Sequence, residues 1–242
     1  MRNSAPEAEP PIDAVSWLAA ALVGVALGFG AVTAFTALPI WAPALQNSFG
    51  GAQPHGFWYL SRASAFVAYA LLWLSMALGV AISNKMARVW PGGPTAFSLH
   101  EYASLLGLVF AAFHALILLG DHYIGFTLQQ TLTPFASAYR PLEVGLGQIA
   151  LYASIVVTFS FYVRRRIGQR TWRVLHYFSF AVYALALLHG LLSGTDTGVP
   201  LIESLYWSTG AILLFLTIYR VLMRKPSAPR PAQPRTTPAP GR

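Results

Sequence analysis

The chain has 242 residues, of which 55% are hydrophobic and only 10% charged, whereas an ordinary soluble domain carries about 25% charged residues. It has no cysteine, which excludes disulfides, thiolate metal sites, iron–sulfur clusters and covalently attached c-type haem. The net charge of +8 would suggest nucleic acid in a soluble protein, but the basic residues here sit beside apolar segments, a pattern of membrane topology rather than of nucleic-acid binding.

In chain order, residues 1–13 hold Glu7, Glu9 and Asp13 rather than a basic leader. The apolar stretch that follows, near 14–38, offers no small-residue cleavage site and is read as a retained helix. Five more apolar stretches lie near 57–82, 97–119, 144–163, 172–193 and 204–223. Each can cross a hydrocarbon core of about 30 Å, which takes about 20 helical residues. A membrane barrel would instead show short segments of alternating polarity. The expected fold class is an all-α integral membrane protein, a six-transmembrane-helix bundle over 14–223. Residues 224–242 are rich in Pro, Ala and Arg, a composition that buries no core and predicts a disordered tail, in reach of anionic lipid.

Lysines and arginines concentrate in cytoplasmic loops. The second-to-third connection carries Lys85 and Arg88, the fourth-to-fifth carries Arg164, Arg165, Arg166, Arg170 and Arg173, and more follow the last helix. The opposite connections carry only Arg140. Both termini are therefore expected in the cytoplasm, in a multi-pass protein of a bacterial inner membrane.

Four histidines fall inside two predicted helices: His100 and His114 on the third, His176 and His189 on the fifth. These helices run in the same direction. Counted from their inner ends, His100 and His176 lie three to four residues in, and His114 and His189 both lie seventeen in. The imidazoles thus occupy two levels, about 20 Å apart at 1.5 Å per residue, too far to share one metal ion. Two porphyrins, each clamped between the third and fifth helices by bis-histidine iron, fit that spacing. The alternative is a set of interhelical hydrogen-bonding histidines, although ionisable groups at membrane depth are costly. At 100° per residue, a spacing of fourteen returns to within about 40° of one face, but the thirteen between His176 and His189 leaves them about 140° apart. The fifth helix must bend, bulge or use divergent rotamers for both to serve.

The stretches LHEYASLLGLVFAAFH, Leu99 to His114, and TWRVLHYFSFAVYALALLH, Thr171 to His189, resemble the ferric reductase-like transmembrane domain, the family of NADPH oxidases, ferric reductases and the haem subunit of bacterial methionine sulfoxide reductase. Spacings of fourteen and thirteen occur in the oxidase branch, whereas respiratory cytochrome b uses fourteen twice. The resemblance covers roughly 57–193. It implies two haem b groups, with His100 and His176 as iron ligands of the inner one and His114 and His189 of the outer one. Members that reduce iron or oxygen continue into a cytosolic FAD and NADPH domain. Here fewer than twenty residues follow the last predicted helix, so no such domain is expected in this chain. The sulfoxide reductase subunit also lacks it but does not clearly keep all four histidines.

Arg62, inside the second predicted span near its outer end, is a candidate partner for an outer haem propionate, with snorkelling to the interface as the alternative. Arg88 and Arg173 are candidates for the inner propionates, with a purely topological role as the alternative. His55, His122, Asp121 and Asp196 fall in outer loops, where a metal or acceptor patch competes with the expectation of solvated loop residues. Phe110, Phe113, Tyr177, Phe180 and Tyr183 are candidates to pack against porphyrin or simply against core and lipid. No dinucleotide fingerprint, P-loop or nucleophile elbow is present.

The expected function is transmembrane electron transfer by a cytochrome b-type oxidoreductase subunit, from a separate cytoplasmic flavoprotein or bound quinol to an extracytoplasmic acceptor or reductase partner. A self-contained reductase of ferric iron or oxygen at the outer haem is one alternative. A haem-free transporter or structural subunit is another.

Overall fold

A computed structural model describes residues 43–50, 55–122 and 124–223, with the isolated positions 25 and 32. The predicted segment 1–13 and tail 224–242 lie outside the described residues, as does the predicted first span, 14–38, apart from those two positions. Among the described residues every regular element is helical. In order they are α1 (Pro43–Gly50), α2 (Gly56–Ser83), α3 (Gly93–Ile117), α4 (Leu128–Leu132), α5 (Pro141–Ser160), α6 (Arg164–Ile167), α7 (Gln169–Tyr177), α8 (Ser179–Ser193) and α9 (Pro200–Leu222).

Among the described residues five helices are long and apolar enough to cross a membrane: α2, α3 with the 3₁₀ turn Leu118–Gly120, α5, the α7–α8 pair, and α9. They coincide with the second to sixth predicted stretches. Their starts follow local chemistry. Proline stands in the first turn of α3, α5 and α9, where its missing N–H costs no helical bond and its φ is already helical. α2 ends where Lys85 turns into the left-handed region at φ 62°. Gly168, at φ 83°, separates α6 from α7, a backbone conformation that favours glycine.

The helices alternate in direction. One end of the bundle gathers the end of α2, the start of α3, α6 with Arg164, Arg165 and Arg166, and the end of α9; it is called the arginine-rich end below. α2 packs antiparallel on α3, α5 packs on α8, and α9 closes against α2. Tyr69, Met76, Val80, Tyr183, Tyr206 and Leu213 form the buried core, where Tyr69 Oη lies 3.0 Å from Tyr183 Oη and 2.7 Å from Thr209 Oγ1. Large apolar side chains such as Leu142, Leu201, Phe215 and Leu222 remain exposed. In water that surface would be unfavourable, whereas lipid solvates it, as in a multi-pass membrane protein.

The fifth predicted span is interrupted between its two histidines. Phe178 separates α7 from α8, and its N–H reaches back only three residues, to Leu175 O at 3.1 Å. This tightened turn lies between the two histidines, in the stretch where a departure from regular helix was expected.

Candidate paired-histidine site

α3 carries His100 and His114, α7 carries His176 and α8 carries His189. The fold brings them together in two pairs. The rings of His100 and His176 lie 6.1 Å apart, centroid to centroid, with planes at 78°. Those of His114 and His189 lie 6.2 Å apart at 66°. Imidazole–metal bonds of about 2.0–2.1 Å would place the centroids of two rings on opposite sides of one ion about 6.3 Å apart. Both pairs are at that separation.

Three of the four rings are oriented by their Nδ1 atoms. His100 Nδ1 is 2.8 Å from Ser75 O, His114 Nδ1 is 2.8 Å from Ser61 O, and His189 Nδ1 is 2.7 Å from Glu143 O. A carbonyl oxygen can only accept, so each Nδ1 carries the proton and donates it. The neutral ring then holds its lone pair on Nε2, the atom left to bind a metal, an arrangement characteristic of metal-ligating histidines. Among the described residues no Nε2 of the four makes a hydrogen bond. His176 is positioned differently, by stacking against Trp172 at 5.3 Å and 26°.

Ser61 and Ser75, the acceptors on α2, stand fourteen residues apart, the spacing of His100 and His114. An antiparallel helix pair in constant register meets at both levels, so α2 presents a serine backbone to each α3 histidine. The side chains join in: Ser61 Oγ is 3.0 Å from His114 Nδ1, and Ser75 Oγ is 3.1 Å from His100 Nδ1. On α5, Gly147 leaves room for the His189 ring, since a Cβ at this position would lie 2.8 Å from its Nδ1 and Cε1 atoms.

A cavity of about 600 Å³ runs past all four histidines, within the range of about 300–1,000 Å³ of small-molecule sites. Arg62 and Arg173 line it; Arg88 does not and is exposed on the 3₁₀ turn Met86–Arg88. Arg62 already has a carboxylate partner. Its Nε donates to Asp196 Oδ2 at 2.8 Å, and its second nitrogen pairs with Oδ1. Asp196 is therefore not a merely solvated loop residue. Neither is Asp121, which is 2% exposed and accepts from Ile124 N at 3.0 Å. The partner of Asp196 lies on α2 and that of Asp121 three residues on in the same loop, neither of which side-chain polarity alone reveals. His122 is exposed, and His55 stands at the N-cap of α2. Of the aromatics, Tyr177 and Phe180 line the cavity, Phe110 and Phe113 do not, and Tyr183 belongs to the core.

Sequence reasoning missed Ser61, Ser75, Gly147, Trp172, Gln148 and Arg220. All six line the cavity. Gln148 Nε2 ties down the extramembrane segment by donating to Gln130 O and Thr131 O, both at 2.7 Å. The repeated spacing of fourteen on the second span was the signal for the serines. Among the described residues no three His, Asp or Glu side chains gather closely enough to hold a metal ion by themselves.

Residues 56–196 match the family model described as a domain of unknown function (DUF8596), more than half of the chain. The chain belongs to the DUF8596 family. No curated protein and no solved structure matches it. The DUF8596 match starts with α2 and ends on Asp196, so it includes both histidine pairs, the two serines and the Arg62–Asp196 pair, and leaves out α9 with Arg220.

Proposed function

We propose that this chain is a di-haem b-type transmembrane electron-transfer protein with six spans, the first of them at 14–38. The observation that carries the reading is the two imidazole pairs at metal-bridging separation, on two levels, with Nδ1–H anchored to carbonyls in three rings of four. In haem the macrocycle supplies the remaining coordination positions and two protein ligands complete the iron, which suits two levels that offer two imidazoles each and, among the described residues, no third ligand. The resemblance of the histidine segments to the ferric reductase-like family points the same way.

The residues divide the work by helix. α3 supplies one imidazole to each level, α7 and α8 supply the other, α2 orients the α3 rings, and Gly147 on α5 keeps space beside His189. Haem supplies one-electron chemistry when bound, and six-coordinate bis-histidine iron leaves no open position for a substrate, which favours electron transfer. With the arginine-rich end in the cytoplasm, electrons enter there from a flavoprotein or a quinol. They leave at the His114–His189 end to an extracytoplasmic acceptor or reductase.

A pyridine haemochrome assay of the purified full chain tests the reading, with close to two b haems per polypeptide as the expected result. His114→Ala and His189→Ala should each remove about half of the haem. A colourless protein purified from haem-replete cells would return the chain to the class of haem-free transporters or structural subunits.

A further inference from the structure

The two ends of the cavity differ in what they offer a charged ligand. At the His114–His189 end the Arg62 guanidinium is matched by Asp196. At the arginine-rich end Arg173 and Arg220 both line the cavity, and neither forms an ion pair or a side-chain hydrogen bond with a described residue. Trp172 lines it as well, and its indole Nε1 is buried with no acceptor among the described residues. An indole N–H can only donate, and a buried donor left unpaired is costly.

Two of these groups, Trp172 and Arg220, lie near one imidazole. Trp172 stacks on His176, and Arg220 brings its positive charge from α9 within range of the same ring. Glu101, the carboxylate lining that end, accepts from Tyr162 Oη at 3.1 Å and pairs with none of the arginines. The protein thus presents two guanidinium groups and an indole N–H there without supplying the anion.

We propose that Trp172, Arg173 and Arg220 form an anion cradle that takes a carboxylate of the ligand held by His100 and His176, and that the His114–His189 end has no equivalent. The inference rests on the two-haem reading, in which the tetrapyrrole's propionates are the carboxylates. A phospholipid headgroup carries a similar oxyanion and is the competing source.

Esterification removes the charge from the ligand without altering the protein. The haem-free full chain, in phosphatidylcholine vesicles, is titrated with haem b and with its dimethyl ester, following the Soret band; His176→Ala and His189→Ala identify the levels. The wild type should take two haems, with the ester about tenfold weaker at the level lost in His176→Ala, the scale of one charge-assisted hydrogen bond. Trp172→Phe and Arg220→Gln should weaken haem at that level and narrow the gap between haem and ester, while Arg62→Gln leaves the gap unchanged. Equal weakening at both levels, or a gap insensitive to Trp172 and Arg220, overturns the cradle. So does a site blind to esterification but weakened when phosphatidylglycerol is added, which would identify the anion as lipid. A wild type that binds neither form overturns the two-haem reading itself.

Discussion

At the scale of single residues, the histidine rings are held by backbone more than by side chains, and this decides which substitutions matter. Ser61→Ala keeps the carbonyl that accepts from His114 and loses only the hydroxyl at 3.0 Å, a change of about 0.5–1.5 kcal/mol; haem stoichiometry measured by haemochrome should stay near two. Gly147→Ala is smaller chemically and larger in effect. A Cβ 2.8 Å from the His189 ring must displace the imidazole, so the variant should lose mainly the haem of the His114–His189 level and about 1–3 kcal/mol of stability through overpacking. The Arg62–Asp196 pair is partly solvated, with side chains 34% and 23% exposed. Its coupling should therefore fall between the surface and buried limits, about 1–2 kcal/mol. A double-mutant cycle of Arg62→Gln and Asp196→Asn, read by thermal unfolding in detergent, should show the double variant losing less than the sum of the singles. Strict additivity would mean the pair contributes nothing. The pairing of Asp196 with Arg62 was invisible to sequence reasoning because the two lie 134 residues apart and loop acids are ordinarily solvated.

At the scale of elements, the spans were legible because apolarity over some twenty residues is a strong signal, and the structured ends differ from the predicted ones by a few residues, where proline and positive-φ turns set the boundary. The interruption of the fifth span was legible only as a requirement: thirteen residues do not return to one helix face, so something between His176 and His189 had to give. Its position at Phe178 had no local cue, since no proline or glycine stands there. Inserting one alanine after Phe178 would rotate His189 by about 100° about the axis of α8. The expected outcome is loss of one haem with the other retained, whereas an alanine inserted after Gly198, beyond both ligands, should leave haem content unchanged. The short helix α4 went unread because five residues are too few to show a period; a capping box between Thr127 and Gln130 and the Gln148 amide hold it instead.

At the scale of the whole molecule, charge asymmetry governs orientation. Reporter fusions in the Arg164–Arg170 connection should lie in the cytoplasm, and fusions between Gly120 and Glu143 outside. The reverse result would invert the proposed direction of electron flow. The division of ligands between helices also has a consequence for biogenesis. Each level draws one imidazole from α3 and the other from α7 or α8, and α3 precedes them by more than fifty residues in the chain. In the two-haem reading proposed above, the α2–α3 hairpin would emerge during synthesis with two half-complete sites, its rings aimed by Ser61 and Ser75. Neither level can close until the ribosome has passed His176, and the second waits for His189. Prosthetic-group capture would then be the late event that joins the first half of the bundle to the second, and a nascent chain stalled before α7 should emerge from the ribosome colourless.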